Sequence, residues 1–308
     1  MANKRILVAT EKPFAPAAVE QIRSIAEENG FELKLLEKYT EKSQLLEAVA
    51  DVAALIVRSD KIDEEVLKAG KELKVVVRAG AGYDNIDTKA ATELGICVQN
   101  TPGQNSNAVA ELVFALLLYH MRKHFTGKSG SELMGKRFGI MSYGNIGHNA
   151  ARIAKGFGME VYGFQRLTPV NYAIKDGFKF FNDRKLMFSL CDIMMIAMPS
   201  APNTKGMINY DLMSQMPENA ILVNIARKDL INEDDLVRIL EERPDITYLT
   251  DLKPDRESEI LERFPDQYFS TDKKLGAQTA EANINAGLAA TKQICTFLQT
   301  GQARYRVN

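Results

Sequence analysis

The chain has 308 residues, of which 45% are apolar, so it can bury a sizeable core, and its length predicts two domains. Its 39 basic and 40 acidic residues give a formal charge of −1, which excludes a global field that would favour nucleic acid or an acidic membrane surface. The three cysteines, Cys97, Cys191 and Cys295, lie far apart in apolar runs, which is typical of reduced thiols in the cytoplasm and not of a disulfide or metal site.

Short β-rich runs alternate with amphipathic segments through the first hundred residues. The runs are RILVAT, FELKLLE, AALIVRS, LKVVVRAG and ICVQN. Such alternation predicts a parallel sheet flanked by helices and joined by right-handed crossovers. The apolar segment after the N-terminal basic residues is too short for the core of a signal peptide, so we expect the chain in the cytoplasm.

A domain boundary is predicted near residue 102. Pro102 and Gly103 interrupt the last strand, and the following run LVFALLLY is far below membrane-spanning length, which predicts a buried helix. The alternation then starts afresh with RFGIMSYG, MEVYGF, DIMMIAMP, AILVNIA, ITYLTDL and QYFST, and ends in one long helix that stops at Gly301. We therefore predict two α/β domains, Rossmann-like or flavodoxin-like, with parallel sheets. The active site is expected in the cleft between them, where carboxyl ends of strands meet.

The turn after the strand RFGIM predicts a nucleotide-binding unit. This turn reads SYGNIG, where the dinucleotide fingerprint is G-x-G-x-x-G, so Ser142 replaces the first glycine. Gly144 would let backbone amides, including those of Asn145 and Ile146, approach a pyrophosphate, and Gly147 would let the helix pack closely on the strand. The alternative is an ordinary βαβ unit whose glycines serve packing alone.

The residues after the next strand bear on the choice of cofactor. Folds that bind NAD usually place an acid there to bond the ribose hydroxyls, whereas this chain has Gln165 and Arg166. An uncharged amide and a cation would remove the repulsion against a 2′-phosphate, so the use of NADP is a hypothesis. The alternative is NAD, with Gln165 bonding the ribose and Arg166 in solvent.

Six stretches resemble the D-2-hydroxyacid dehydrogenase family, and within it the short members that act on 3-phosphoglycerate. They are VRSDKID, VVRAGAGYDNID, NTPGQNSNAVAEL, LMGKRFGIMSYGNIG, LVNIARKDLINEDDL and LGAQTAEANINAG, in order along nearly the whole chain. The resemblance implies a substrate-binding domain of residues 1–101 and 285–308, and a nucleotide-binding Rossmann domain of residues 102–284. It also implies a homodimer formed through the nucleotide domain, and the absence of the serine-sensing domain of long members.

The resemblance further implies which residues hold the cofactor and the substrate. Met198, Ile225, Ala226 and Asp251 fall at cofactor-binding positions, and NAD is the expected cofactor. The family's N-x-x-R segment falls on NIAR, so Arg227 would orient the substrate carboxylate with its planar fork of donors. A surface arginine in an ion pair is the alternative.

The chain departs from the family at the proton acceptor. The family's histidine, in the pattern PHxGA, falls on KKLGA, so Lys274 takes its place, and His120, His124 and His148 fall elsewhere. A lysine that acts as a base at neutral pH needs its pKa lowered from about 10.4 by roughly two to three units, which burial and nearby cations favour. Two alternatives stay open. A charged Lys274 would polarise the substrate oxygen while water takes the proton, or the two lysines are simply solvated.

The family pairs its histidine with a glutamate in the pattern D-V-x-x-x-E-P. Here TDLKPDRESEILERF places Asp251 at the aspartate and Arg256 at the glutamate, and Glu257 is the nearest acid. Glu257 is therefore our candidate partner of Lys274, with Asp255 and Glu259 as the next candidates. Because a carboxylate raises the pKa of a neighbouring lysine, Glu257 would orient an ammonium group, and an exposed surface acid is the alternative.

A basic cluster at two strand ends predicts a phosphorylated substrate. The cluster comprises Arg58, Ser59 and Lys61 in VRSDKID, and Arg78, Gly80 and Ala81 in VRAGAGYDN. Basic groups with exposed amides suit a small ligand that carries both a phosphate and a carboxylate. A structural ion pair between one of these cations and Asp60 or Asp84 is the alternative.

The expected activity is therefore the oxidation of 3-phosphoglycerate to 3-phosphohydroxypyruvate, the entry to serine biosynthesis, without a metal, nucleic acid or membrane partner. Within the same chemistry, the alternative is a glyoxylate or hydroxypyruvate reductase. A non-catalytic nucleotide-sensing protein is the alternative of another class, since the histidine, the glutamate and the first glycine are all replaced.

Overall fold

The predicted alternation of strands and helices runs through the computed structural model, which describes residues 4–164 and 178–308. The chain divides into two units. Unit 1 comprises residues 1–105 and 278–308, and unit 2 comprises residues 106–277. The second predicted boundary, at residue 284, differs because the division leaves the final helix whole in unit 1, whereas the prediction cut through it. The first predicted boundary, at residue 101, lies close to the observed one at residue 105.

Unit 1 is a parallel sheet with helices on both faces. Its elements are β1 Arg5–Thr10, α1 Pro16–Glu28, β2 Glu32–Glu37, α2 Lys42–Val49, β3 Ala54–Val57, α3 Glu64–Ala69, β4 Val75–Arg78, α4 Thr88–Glu93, β5 Cys97–Asn100 and the final helix Ala280–Thr300. The strand order is β2-β1-β3-β4-β5, which is the flavodoxin-like order.

Both faces of this sheet are buried, as parallel sheets require. Ile6 and Val8 of β1 pack with α1 and the final helix on one face, while Leu7 and Ala9 pack on the other face with α2 and α3. The continuous apolar runs in the sequence follow from this two-sided burial.

Unit 2 contains a second parallel sheet. Its elements in chain order are α5 Ser106–Met121, β6 Arg137–Met141, α6 Asn145–Gly156, β7 Glu160–Phe164, β8 Lys179–Phe181, α7 Arg184–Leu190, β9 Ile193–Ile196, α8 Tyr210–Met213, β10 Ile221–Asn224, α9 Glu233–Glu242, β11 Thr247–Thr250, α10 Glu257–Arg263 and β12 Tyr268–Ser270. The final helix, in unit 1, is then α11. The strand order is β12-β11-β10-β9-β6-β7-β8.

The fold class predicted from the sequence is confirmed. Each predicted β-rich run forms a strand, and α11 ends at Gly301, whose φ of 75° is the left-handed conformation of a helix C-cap. The strand β8 was not predicted, because three residues are too few to show a period. Among the residues that the structure describes, no helix combines the length and apolarity needed to cross a bilayer.

Candidate active site

The carboxyl ends of the strands bring the predicted residues of unit 2 to one edge of its sheet. Residues 142–147 follow β6, Met198 lies just beyond β9, Arg227 follows β10, Asp251 follows β11, and residues 271–276 follow β12. Since the strands are parallel, these segments leave the sheet at the same edge. The order reverses between β6 and β9, and such a switch point is where open α/β sheets bind ligands.

The turn after β6 keeps its shape without the first glycine of the fingerprint. Ser142, in that glycine's place, has a φ of 79°, in the left-handed region. This region costs an ordinary residue about 1–2 kcal/mol. The Ser142 amide donates to the carbonyl oxygen of Phe164 at 3.0 Å, which ties the turn to the end of β7.

Two glycines shape the start of α6. Gly144 is the N-cap residue, and a Cβ placed there would meet no atom within 4 Å. A Cβ at Gly147 would lie 2.8 Å from the carbonyl oxygen of Ser142, so only glycine allows this close packing. No described side chain caps α6, so the amides of its first turn can bind an anion. The residues present therefore fit the pyrophosphate of a dinucleotide.

The position that distinguishes the two nicotinamide cofactors follows β7. Phe164 is the last described residue of that strand, and the predicted Gln165 and Arg166 lie outside the described residues. Their roles stay predictions. Ile225 and Ala226, also predicted to bind the cofactor, are buried at the carboxyl end of β10.

A buried asparagine shapes the turn that carries Arg227. Asn224 is fully buried, and its side-chain oxygen accepts from the Ala226 amide at 3.1 Å while its side-chain nitrogen donates to the carbonyl oxygen of Arg227 at 3.0 Å. The same nitrogen donates to the hydroxyl of Tyr248 at 3.3 Å, and burial raises the pKa of Tyr248 to about 12. The sequence placed Asn224 at the start of the motif but did not reveal this role, which requires the two ends of the turn in space.

The loop of residues 271–276 is held by the carboxylate of Asp251. Asp251 Oδ1 accepts from the hydroxyl of Thr271 at 2.8 Å and from the amide of Leu275 at 2.7 Å, and Oδ2 accepts from the amide of Gly276 at 2.9 Å. Asp251 is 2% exposed. Lys274, carried by this loop, is exposed. The burial that the neutral-amine hypothesis requires is therefore not observed.

The structure corrects the predicted pairing of Glu257 with Lys274. The Glu257 carboxylate accepts from the hydroxyls of Ser270 at 2.6 Å and Tyr268 at 3.2 Å, and lies 3.2 Å from Lys253 Nζ. Burial raises the pKa of Glu257, but these hydrogen bonds outweigh it and hold the pKa below its usual range. Glu257 begins α10 and reaches β12, so it anchors the strand that leads into the loop of residues 271–276 and not the lysine itself.

The other side chains near the family's glutamate position have surface partners. Arg256 contacts Glu259 Oε2 at 2.6 Å, and Glu259 also pairs with Arg263. Asp255 pairs with Lys228. All of these pairs lie at the surface, so they do not supply a second candidate for the family's acid.

In unit 1, the half-buried side chain of Arg58 donates hydrogen bonds to backbone carbonyl oxygens. Its Nη1 donates to the carbonyl oxygens of Lys12 at 2.8 Å and Pro13 at 3.2 Å, its Nη2 donates to Asn283 Oδ1, and its guanidinium carbon lies 5.3 Å from the ring centroid of Phe14. These contacts use much of the donor capacity of Arg58. In the structure, Arg58 thus connects the segment after β1 to α11.

Asp60 does not pair with the guanidinium of Arg58. It is 4% exposed and accepts from the amide of Glu11 at 2.8 Å, the hydroxyl of Tyr39 at 2.9 Å and the backbone amide of Arg58 at 3.2 Å. The alternative of an ion pair with Asp60 is therefore not observed for Arg58. Asp60 instead fixes the backbone at the carboxyl ends of β1 and β3.

The guanidinium of Arg78 occupies the space where a side chain at position 80 would be. Gly80 has a φ of 148°, and a Cβ there would lie 1.4 Å from Arg78 Nη1. Arg78 Nε donates to the carbonyl oxygen of Arg58 at 3.0 Å, and the side-chain amide of Asn100 donates to the carbonyl oxygen of Ala81 at 2.6 Å. The remaining predicted members of the cluster, Ser59 and Lys61, are exposed.

The three histidines lie apart from the loop of residues 271–276 in the sequence, and two of them have aromatic or hydroxyl partners near the end of α5. His120 Nε2 is 3.2 Å from the hydroxyl of Thr247, at the amino end of β11, and His124 stacks on Tyr119 with ring centroids 4.6 Å apart. His148 lies in the first turn of α6. His120 therefore lies at the sheet edge opposite Arg227 and does not replace the missing base.

These features define a two-unit α/β protein whose second unit has the turn, helix N-terminus and switch point of a Rossmann-type nucleotide-binding unit. The chain belongs to the D-isomer specific 2-hydroxyacid dehydrogenase family, since residues 7–308 match the model of its catalytic domain. The resemblance seen in the sequence is thereby confirmed.

Three similar proteins relate the chain to named members. A D-3-phosphoglycerate dehydrogenase of Methanocaldococcus jannaschii is 34% identical over 287 residues, which are 87% of this chain and 54% of that protein. A hydroxypyruvate reductase of Thermotoga maritima is 31% identical, over 86% of this chain and 91% of that protein. The crystal structure of NAD+-bound 3-phosphoglycerate dehydrogenase of Entamoeba histolytica is 42% identical, covers 100% of this chain and 99% of its own, and superposes with a TM-score of 0.88. The chain thus spans about half the length of the first of these relatives.

Proposed function

We propose that the chain is an NAD-dependent D-2-hydroxyacid dehydrogenase that oxidises 3-phosphoglycerate to 3-phosphohydroxypyruvate, the first step towards serine. The observation that carries this proposal is the cationic cluster at the carboxyl ends of β3 and β4. The guanidinium of Arg78 lies against Gly80 at the end of β4, and exposed Lys61 follows β3. A substrate with a phosphate and a carboxylate has a use for two cationic sites, whereas glyoxylate carries one anionic group. The similarity to the Entamoeba enzyme over the whole chain supports the same substrate.

Arg227 is the proposed ligand of the substrate carboxylate. The Asn224 turn holds its backbone at the carboxyl end of β10, so its side chain starts from a rigid element and not from a long loop. The residues of the first turn of α6 would hold the cofactor's pyrophosphate. Acceptance of a hydride from C2 is the chemistry that the cofactor supplies when bound.

Lys274 is the proposed ligand of the C2 oxygen. Because an exposed amine keeps its proton at neutral pH, its exposure favours the charged form over the neutral base. The Nζ ammonium would donate a hydrogen bond to the C2 oxygen and stabilise the negative charge that develops on it, while water takes the hydroxyl proton during oxidation.

The variants Lys274→Arg and Lys274→Ala distinguish a charged lysine that polarises the C2 oxygen from a neutral lysine that acts as the base. Lys274→Arg keeps a positive charge but cannot lose its proton, so a polarising role predicts that it retains much more activity than Lys274→Ala. Equal and complete loss in both variants would instead support the neutral base. Lys185→Ala, which removes a surface lysine paired with Asp211, is the matched control and should keep normal activity.

NAD is the proposed cofactor. The Entamoeba relative binds NAD+, while Gln165 and Arg166 keep NADP open. Steady-state kcat/KM for NADH and NADPH with one fixed keto acid decides this point. A preference for NADPH would overturn the choice of NAD without affecting the proposed substrate.

A hydroxypyruvate reductase is the second candidate. It is favoured by one observation, since the Thermotoga hydroxypyruvate reductase is 31% identical over 86% of this chain, close to the 34% over 87% for the Methanocaldococcus enzyme. The substrates of the two candidate enzymes differ in whether they carry a phosphate, so the preference for a phosphorylated keto acid distinguishes the two functions.

The test is an assay of reduced-cofactor oxidation with phosphohydroxypyruvate, hydroxypyruvate and glyoxylate. We expect phosphohydroxypyruvate to have the highest kcat/KM, and Arg227→Ala to lower it roughly hundredfold, since a lost charged hydrogen bond costs about 1.5–3 kcal/mol. Arg263→Ala, whose arginine forms ion pairs on the surface of the same unit, is the control for Arg227. Higher kcat/KM with hydroxypyruvate favours the second candidate, and binding of NADH without turnover of any keto acid favours the nucleotide-sensing protein.

We also propose a homodimer formed through unit 2 and a cytoplasmic location. The exposed apolar side chains Phe125 and Met134, both between α5 and β6, support an interface there. The three cysteines are free and buried, which suits a reducing compartment. Sedimentation of the wild type and of Phe125→Ser with Met134→Ser tests the dimer, which should dissociate in the double variant.

A further inference from the structure

The carboxylate of Asp251 has an unusual position among the groups at the carboxyl edge of unit 2. It is almost completely buried, and within residues 4–164 and 178–308 its side-chain hydrogen-bond donors all come from the loop of residues 271–276. A buried carboxylate destabilises the fold unless it is hydrogen-bonded. The carboxylate therefore requires the loop to supply its donors, and the loop requires the carboxylate to accept its hydrogen bonds. The position of this loop therefore depends on the hydrogen bonds that it makes to one side chain.

The three bonds leave Asp251 little capacity for a further ligand. A carboxylate has about four acceptor sites, and two donors already occupy Oδ1 while one occupies Oδ2. The sequence-based expectation made Asp251 a cofactor ligand. One acceptor site on Oδ2 remains for that role, but most of the hydrogen bonding of this residue serves the loop.

The other side of the loop is closed by packing. A Cβ at Gly276 would lie 3.0 Å from Asp251 Oδ2 and 3.3 Å from Val109 Cγ2, so the loop backbone fits between the carboxylate and α5. The bonded amides of Leu275 and Gly276 directly follow Lys274 in the chain. The carboxylate consequently holds the backbone next to the lysine and leaves the lysine side chain exposed.

We infer that Asp251 is a positioning residue, which fixes the loop of residues 271–276 and thereby places the ammonium group of Lys274. The inference rests on the proposed function for the role of Lys274, but not for the order of the loop itself. Asp251→Asn turns one acceptor into a donor, so an N–H group would face a backbone N–H group. The loop loses at least one bond while the size of the side chain is kept.

Hydrogen exchange tests the loop without any reference to activity. In the wild type the amides of Leu275 and Gly276 are bonded, so Asp251→Asn should raise their exchange rates roughly tenfold or more. Asp192→Asn is the matched control, because Asp192 bonds Arg137 at the amino edge of the same sheet. Unchanged exchange at Leu275 and Gly276 in Asp251→Asn overturns the inference. Thr271→Val, which removes only the hydroxyl donor, should act in the same direction and replaces Asp251→Asn should that variant not fold.

A double-mutant cycle with Lys274→Ala tests the link to catalysis. Asp251→Asn should lower kcat roughly tenfold in the wild type and by less than about twofold when Lys274 is already alanine, because two residues that act through one group are not additive. Any change in the KM for NADH should be the same in both backgrounds, because Lys274 is not among the proposed cofactor ligands. Equal losses of kcat in both backgrounds overturn the link to Lys274. Absence of turnover in the wild type would instead refute the proposed function, with the exchange result still deciding the role of Asp251 in the loop.

Discussion

His120 provides a quantitative test of how unit 2 responds to pH. Its imidazole is partly buried at the end of α5, and its Nε2 is 3.2 Å from the hydroxyl of Thr247. Burial, followed by the charges of Lys123 and His124, lowers the pKa of His120 from 6.5 to about 4. His120 is therefore neutral in the folded protein at any pH well above 4, and the unfolded chain binds its proton more readily.

The sign and size of the effect follow from proton linkage. Because the folded-state pKa lies below the unfolded one, stability is fully present above pH 6.5 and is lost as the pH falls from 6.5 towards 4. At about 1.4 kcal/mol for each pKa unit, the complete loss is about 3 kcal/mol. Between about pH 7.5 and pH 5, the loss from this group is roughly 2 kcal/mol.

The experiment compares urea unfolding of the wild type and His120→Gln near pH 7.5 and pH 5. Glutamine can keep a hydrogen bond to Thr247 but does not titrate, so the variant should lose roughly 2 kcal/mol less than the wild type over this range. The contributions of carboxylates cancel in this comparison. His148→Gln, at an exposed histidine of α6 whose charge does not act on His120, is the control. A loss of stability that is the same in the wild type and in His120→Gln would refute the reasoning, as would a directly measured His120 pKa near 6.5.

Three further predictions concern the glycine positions of the two units. Ser142→Gly should stabilise unit 2 by about 0.5–1 kcal/mol in urea unfolding, since it relieves a left-handed serine, and a destabilised variant would contradict this. Gly147→Ala should lower the free energy of unfolding by about 1–3 kcal/mol and weaken NADH binding measured by fluorescence, because the new Cβ meets a backbone oxygen at 2.8 Å, and Gly156→Ala, with open space at its Cβ, is the control. Gly80→Ala should raise the KM for phosphohydroxypyruvate roughly tenfold by displacing the guanidinium of Arg78 while the KM for NADH stays normal, and an unchanged substrate KM would remove Arg78 from the site.

Most of the fold could be predicted from the sequence because both sheets are buried on both faces. Residues such as Ile6 and Leu7 are apolar in succession, since each lies on one of two packed faces. The strand β8 could not be predicted in this way, because its Phe180 and Phe181 are only partly buried at a sheet edge and its three residues show no period. Strands that are buried on both faces can thus be predicted from the sequence, because they appear as continuous apolar runs.

The candidate site could be predicted only where a residue's role depends on its place along the chain. The position of Arg227 after a strand was enough to bring it to the carboxyl edge, because every parallel strand ends there. The missing first glycine was a weaker guide, since Ser142 takes the left-handed conformation with its amide bonded to Phe164. The residue type sets the energetic cost of a backbone conformation, but the hydrogen bond to the neighbouring strand determines which conformation is adopted.

The hydrogen-bond partners of buried and half-buried acids could not be predicted, for a different reason. The spacing of residues after β11 made Glu257 the nearest acid to Lys274, yet its partners are Ser270, Tyr268 and Lys253, while Asp251 holds the loop that carries the lysine. A carboxylate takes whichever donors the fold brings within about 3 Å, and these belong to other segments of the chain.

The order of the loop of residues 271–276 does not by itself establish catalysis by Lys274. The buried carboxylate of Asp251 requires its donors whether or not the lysine reacts, because leaving it unbonded would cost about 1–3 kcal/mol or more. An ordered loop is therefore expected both for an active dehydrogenase and for a nucleotide-sensing protein. The two functions differ in whether turnover depends on the charge at position 274. The comparison of Lys274→Arg with Lys274→Ala therefore distinguishes the two functions, whereas the geometry of the loop does not.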